Sequence, residues 1–460
     1  MFRTVELPLW LLLLILGFAA VTFASHFLFP SVRWFFRRRM ERAVAELNKR
    51  LQRPVEPFKL LERHDRILRL VYDPQVIAAA VAHARSTGVP EAVAFEKARR
   101  YAGEIVPGFS ASIYFGFAVR AARWLSQTLY DVKVSARDEA ALRDIAPDAT
   151  VVFVMNHRSN MDYVLVTWLV SSRMTLSYAV GEWARVWPLS RLIRAMGAYF
   201  IRRKNLNPLY RTVMERYVRM ATAEGVSQAI FPEGGLSLDG RVGPAKLGLL
   251  GFILAEARES GRDVAFVPVA FAYDRVLEDR VLTEAAENGV RRFRARPAAI
   301  AGFVLRMVWR KLRGRYRGFG TVGVSFGLPL SLQRMLDAEP ALTPEALADR
   351  LMAGVRAVVP VLPVPLVAAA LIRDGAVPKE ALAGHVAALR ASLADRDAVL
   401  LAPEGSECMA LTPLVARGIV VDTPEGLRPA AGAERLLAFH AAPVLQIVDA
   451  AAASASPQTS

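Results

Sequence analysis

The chain has one cysteine, Cys408, and six histidines among its 460 residues. A single thiol excludes an intramolecular disulfide and a cysteine-rich zinc site, and the histidines are too scattered to give a metal-binding spacing. Neither a metal nor a cofactor is therefore expected. Acidic residues are also scarce: 43 Asp and Glu stand against 59 Lys and Arg, for a formal net charge of +16. Such an excess attracts polyanions, either nucleic acid or an anionic membrane surface. No recognised nucleic-acid motif accompanies the charge, so anionic membrane lipids, and not nucleic acid, are the expected partner.

One stretch lacks charge altogether. Leu7 to Val32 contains no Asp, Glu, Lys or Arg, and its centre is Leu9-Trp10-Leu11-Leu12-Leu13-Leu14-Ile15-Leu16. This reaches the about 20 residues that cross a bilayer core. A cleaved signal peptide is the competing reading; it fits less well because the apolar run is long and its start carries only Arg3 as a basic side chain. Arg33, Arg37, Arg38 and Arg39 follow directly, as after a retained anchor. The expectation is a transmembrane helix over residues 7–29, in the inner membrane, with all that follows on the cytoplasmic side.

What is present is mostly apolar. At 53% hydrophobic and 22% charged residues the chain can build a large core, and its length suggests two or three packed units. Residues 30–130 read as a helical N-terminal domain, with breaks at Pro54, Pro57, Pro90 and Pro107. Over residues 131–335 apolar strands alternate with helical stretches, which predicts an α/β layered core with a mixed sheet flanked by helices. Within it, Ala298 to Arg317 mixes Phe303, Met307 and Trp309 with Arg306, Arg310 and Lys311, a pattern that suits a membrane-interface helix or a solvated surface helix. Residues 336–449 are Ala- and Leu-rich and predicted mostly helical, and residues 450–460 read as a disordered tail.

The most informative segment is Asn156-His157-Arg158-Ser159-Asn160-Met161-Asp162-Tyr163. Before it, Thr150 to Met155 is a short β-branched apolar run of the kind found in buried strands; after it, Met161, Val164, Leu165, Trp168 and Leu169 recur at helical spacing. His157 therefore leaves the end of a strand, and Asp162 lies about one turn into the next helix. Its carboxylate can then reach one imidazole nitrogen, and an imidazole so held takes a proton from a hydroxyl. The same two residues would also serve merely to cap a loop and a helix.

Further blocks extend the pattern. Gly197-Ala198-Tyr199-Phe200-Ile201-Arg202-Arg203, then Phe231-Pro232-Glu233-Gly234-Gly235-Leu236-Ser237, then Val267-Pro268-Val269-Ala270-Phe271-Ala272-Tyr273-Asp274 follow in order. The set resembles the glycerophospholipid acyltransferases, most closely the long bacterial branch that acylates glycerol 3-phosphate or dihydroxyacetone phosphate. Leu70 to Pro74 and Lys97 to Ile105 resemble that branch's helical region ahead of the active site. Gly323 to Leu332 and Ala433 to Ala442 resemble its later segments.

The resemblance implies a membrane-bound glycerol-3-phosphate 1-O-acyltransferase built on a layered acyltransferase core, with acyl-CoA or acyl carrier protein as donor. His157 would be the base and Asp162 its orienter, allowing direct attack of the hydroxyl on a thioester without a nucleophilic serine. Arg202 and Arg203, ending the second block, suit a phosphate because a guanidinium fork matches it. On the resemblance, Glu233 and Gly234 shape the acceptor site and Lys246 supplies a further basic position. Leu236 and Leu238 depart from the branch, which commonly has basic residues there. An acyltransferase for lysophosphatidate or another lysolipid is the alternative enzyme, and a non-catalytic membrane lipid-binding protein the alternative of another class.

Overall fold

A computed structural model of the chain describes residues 51–181, 189–202, 207–289 and 318–455, with isolated positions elsewhere. The expected anchor, most of the basic segment 298–317 and Arg203 lie outside the described residues. Among the described residues no helix is long and apolar enough to cross a membrane. The chain divides into a small unit, Met1–Val55 with Ser172–Met174, and a large one, Glu56–Ser171 with Thr175–Ser460. In the small unit the Arg53 amide donates to the Arg173 carbonyl at 3.0 Å. The sheet and the candidate site belong to the large unit.

The α/β reading holds there. Eight strands form one mixed sheet: β1 (Asp131–Ala136), β2 (Thr150–Met155), β3 (Ser177–Gly181), β4 (Tyr199–Ile201), β5 (Gln228–Ile230), β6 (Val264–Tyr273), β7 (Thr321–Phe326) and β8 (Leu330–Ser331). The order is β1-β7-β6-β2-β5-β3-β4, with β8 also on β6. From β6 through β4 neighbours run parallel, whereas β7 and β8 are antiparallel to β6. Every residue of β2 is buried, as a parallel strand covered on both faces requires, which explains its unbroken apolar sequence. Pro268 is tolerated inside β6 because it falls between the residues that pair with β8 (265–266) and those that pair with β7 (269–273).

Helices cover this sheet. Arg63–Val71, Pro74–Thr87 and Glu91–Ile105 form the expected N-terminal helical region, capped by features such as Asp73, whose carboxylate accepts from the Gln75 amide. Their buried faces join those of Pro208–Ala223, Gly248–Ser260 and Pro344–Ala357 in one core with Val152, Val154 and Phe266. A second core is built from Pro363–Asp374, Leu382–Ala394, Glu407–Ala416 and Glu434–Ala455. The two cores meet near residue 360, because Leu347, Leu351, Met352 and Val355 turn one helix face towards the sheet. The last helix runs to Ala455, into the segment expected to be a tail; its run of alanines has the highest helix propensity.

Candidate active site

The parallel strands end on one edge, where an open α/β sheet presents its crevice. β2 stops at Met155, and the side chain of Asn156 ties the chain to β6: its Nδ2 donates to the Phe271 carbonyl at 3.0 Å and its Oδ1 accepts from the Phe271 amide at 2.8 Å. The chain then turns through His157 into the helix Met161–Val170. Asp162 is only the second residue of that helix, earlier than the apolar spacing suggests. There its charge meets the positive end of the helix dipole and two loop amides.

Asp162 is completely buried and saturated with donors. One carboxylate oxygen, Oδ2, faces His157 Nδ1 at 3.0 Å, the Arg158 amide at 2.7 Å and the Ser159 amide at 3.0 Å. The other, Oδ1, accepts from the Tyr273 hydroxyl at 2.5 Å. A carboxylate held by these donors can only accept from the imidazole, so Nδ1 carries the proton and Nε2 keeps its lone pair. The ring is fixed laterally as well, with its centroid 4.2 Å from that of Phe231 and 5.3 Å from that of Tyr163, edge-on.

The third block locks the same loop. Glu233 Oε1 accepts from the His157 amide at 3.0 Å and its Oε2 from the Gly243 amide at 3.2 Å, while the Ser237 amide donates to the His157 carbonyl at 2.8 Å. Burial pushes the Glu233 carboxyl up to about 7. Gly234 has φ +68°, and a Cβ there would lie 2.7 Å from Lys246 Cδ, so glycine lets the lysine stem cross the turn. Lys246 itself is exposed, its backbone amide tied to the Pro232 carbonyl at 2.8 Å.

His157, Asp162, Glu233, Gly234 and Lys246 thus form one connected site, but Arg202 does not stand ready for a phosphate. Its Nε and Nη2 donate to Glu104 at 2.9 and 2.6 Å, and its guanidinium lies over Tyr101 and Tyr210. The Glu104 hydrogen bonds raise the Arg202 pKa above its ordinary value. The partner comes from the helix Glu91–Ile105, far away in sequence, so the local pattern gave no warning. Two further contributors were missed. Tyr273, in the fourth block, holds Asp162 Oδ1. Glu278, half-buried and with its carboxyl raised by desolvation, accepts from Ser159 Oγ at 2.8 Å and from Asn160 Nδ2 at 2.9 Å.

Two regions of the chain are similar to known families. Residues 134–272 match the family described as Acyltransferase, and residues 304–427 match the Glycerol-3-phosphate acyltransferase C-terminal region. Each match covers less than a third of the chain. Similar relatives named glycerol-3-phosphate acyltransferase come from Aeromonas hydrophila (32% identical, 60% of this chain, 34% of the relative) and Shewanella amazonensis (32%, 64% and 36%). One from Actinobacillus succinogenes is 33% identical over 61% of this chain and 34% of its own length. The chain spans about a third of the length of these relatives. Among solved structures, the 1-acyl-sn-glycerophosphate acyltransferase of Thermotoga maritima is similar at 20% identity and TM-score 0.31, over 53% of this chain and 77% of that one.

Proposed function

We propose that this acyltransferase moves a fatty acyl group from acyl-CoA or acyl carrier protein to the 1-hydroxyl of glycerol 3-phosphate, giving lysophosphatidate for phospholipid synthesis. The observation that carries the reading is the buried contact of His157 Nδ1 with Asp162 Oδ2 at 3.0 Å, set in the first of four ordered blocks. The two regions matched in one chain support glycerol 3-phosphate as acceptor.

The chemistry follows from the site. A sugar-alcohol hydroxyl is a poor nucleophile at neutral pH. His157 Nε2 takes its proton as the oxygen attacks the thioester carbonyl, and Asp162 stabilises the imidazolium that results. The tetrahedral intermediate then collapses with departure of the thiol. Lys246, beside Gly234, is the cation assigned here to the acceptor phosphate, and Arg203 is a second candidate. The net charge of +16 and the uncharged stretch Leu7 to Val32 support a station on the inner membrane against anionic lipids, with the catalytic domain facing the cytoplasm.

Lysophosphatidate acylation is the second reading, favoured by the engagement of Arg202 with Glu104 and by Leu236, both of which reduce the cationic charge offered to a small phosphate. A panel of radiolabelled acceptors with the purified chain separates the two. Glycerol 3-phosphate is expected to be acylated with the highest kcat/KM; efficient acylation of lysophosphatidate alone would move the assignment to the second reading.

A further inference from the structure

Arg158 follows the base directly, yet its side chain takes no part in the proton relay. It is 2% exposed, and its Nε and Nη1 have no hydrogen-bond partner among the described residues. A buried guanidinium with unpaired donors is costly, and a cost of this kind next to reacting groups calls for a reason. The reason lies in its surroundings. The carboxylates of Asp162, Glu233 and Asp239 and the phenol of Tyr273 all favour the charged guanidinium, while His440 feels its field from the last helix. Burial lowers the Arg158 pKa to about 10, which still leaves a cation at neutral pH. That charge offsets the mutual repulsion of acids enclosed at low dielectric.

The same side chain is gripped by the C-terminal region. Its guanidinium lies 4.5 Å from the centroid of the Phe439 ring. Gly240, with φ +90°, closes the other side: a Cβ there would lie 2.8 Å from Arg158 Nη1 and run into the Phe439 carbonyl oxygen. Gln446 of the same helix clasps the turn, accepting from the Val242 amide at 2.8 Å and donating to the Val242 carbonyl at 3.0 Å. On the opposite flank, His440 Nε2 and Arg417 Nη2 meet Asp279 Oδ2 at 3.2 and 2.6 Å, next to the Glu278 that holds Ser159 and Asn160.

We propose that Arg158, seated on Phe439, is a positioning residue for the His157–Asp162 pair, so that the last helix completes the active site. The inference rests on the reading of His157 as the base. Its test is thiol release from acyl-CoA with glycerol 3-phosphate by the full chain, measured from about pH 5.5 to about pH 9 for Arg158→Gln, Arg158→Lys, Phe439→Leu and His157→Ala. Arg158→Gln is expected to lower kcat about 30-fold with the acceptor KM changed less than about threefold, and to move the acid limb of the kcat profile to higher pH, because the neighbouring carboxyls lose a buried cation. Lysine restores the limb, since the charge returns, but not the full kcat, since an ammonium does not stack as a planar guanidinium does.

Wild-type kcat and an unmoved limb in Arg158→Gln would overturn the proposal. So would a loss of activity matched by loss of folded protein in thermal melts with the limb unchanged. If the Gln variant does not fold, Arg158→Lys and Phe439→Leu decide, and wild-type kcat in both overturns it. Turnover by His157→Ala removes the base reading and this inference together; an inactive His157→Ala beside an unaffected Arg158→Gln removes this inference alone.

Discussion

Tyr273 gives its hydroxyl to the one Asp162 oxygen that His157 leaves free, at 2.5 Å. Burial and the adjacent Asp162 charge hold the phenol well above its ordinary pKa, so it remains a donor throughout the physiological range. Tyr273→Phe keeps the ring and removes only this bond. A hydrogen bond to a charged group contributes about 1.5 to 3 kcal/mol, and its loss frees the carboxylate to turn away from Nδ1. The expected result is a fall in kcat of about tenfold with both substrate KM values nearly constant. Steady-state kinetics at saturating donor check it; an unchanged kcat shows that the loop amides alone hold Asp162.

The pair itself makes a stronger prediction. His157→Ala removes the base and is expected to lower kcat by about 10² to 10⁴, the usual contribution of general-base catalysis. Asp162→Asn is expected to be comparably impaired, because an amide nitrogen can face the donors at Nδ1, Arg158 and Ser159 only by leaving a buried donor unpaired. If residues 7–29 hold the chain at a membrane, sedimentation of both variants with membranes should match the wild type, since neither change touches that segment. Near-wild-type turnover in His157→Ala would end the base reading.

The pair was legible because its members stand five positions apart, within the reach of local pattern. β2 was legible too, since burial on both faces writes an unbroken apolar run. Strands β4 and β5, three residues each, are too short for any period to show, and the sheet order places β2 between β5 and β6 through no local signal. The unread contacts are those that link distant segments. Tyr273 meets Asp162 across 111 positions, Glu278 meets Ser159 across 119, and Glu104 takes Arg202 across 98. For Arg202 the missing information changed the chemistry, because a guanidinium read as waiting for phosphate already has a carboxylate.

Glu233 gives the site a dependence on pH. Burial moves its carboxyl from an ordinary 4.5 to about 7. The folded state therefore prefers the protonated acid, and this contribution is fully present below about pH 4.5 and lost as pH rises through about 7. Its size is about 3 kcal/mol across that window. Glu233→Gln is neutral at every pH and lacks the effect. The stability of the wild type relative to the variant should accordingly decline as pH rises from about 5 to about 8. Thermal melts of both proteins over that range test it, and a constant difference between them would mean that Glu233 does not titrate there.

Lys246 and Gly234 make a joint prediction about the acceptor. If the ammonium meets the phosphate, Lys246→Ala should raise the glycerol 3-phosphate KM about tenfold and leave the acyl-donor KM nearly unchanged. Gly234→Ala places a Cβ 2.7 Å from Lys246 Cδ and 3.0 Å from its Nζ, and a flexible lysine stem moves more easily than the turn. It should thus reproduce much of the Lys246→Ala effect, with some strain at φ +68°. The double variant should then be little worse than Lys246→Ala, because the second change displaces a group that the first has removed. Leu236→Arg, which restores a basic residue to the third block, should lower the same KM. Additive losses in the double variant would show that Gly234 acts on the acceptor by a route other than the lysine.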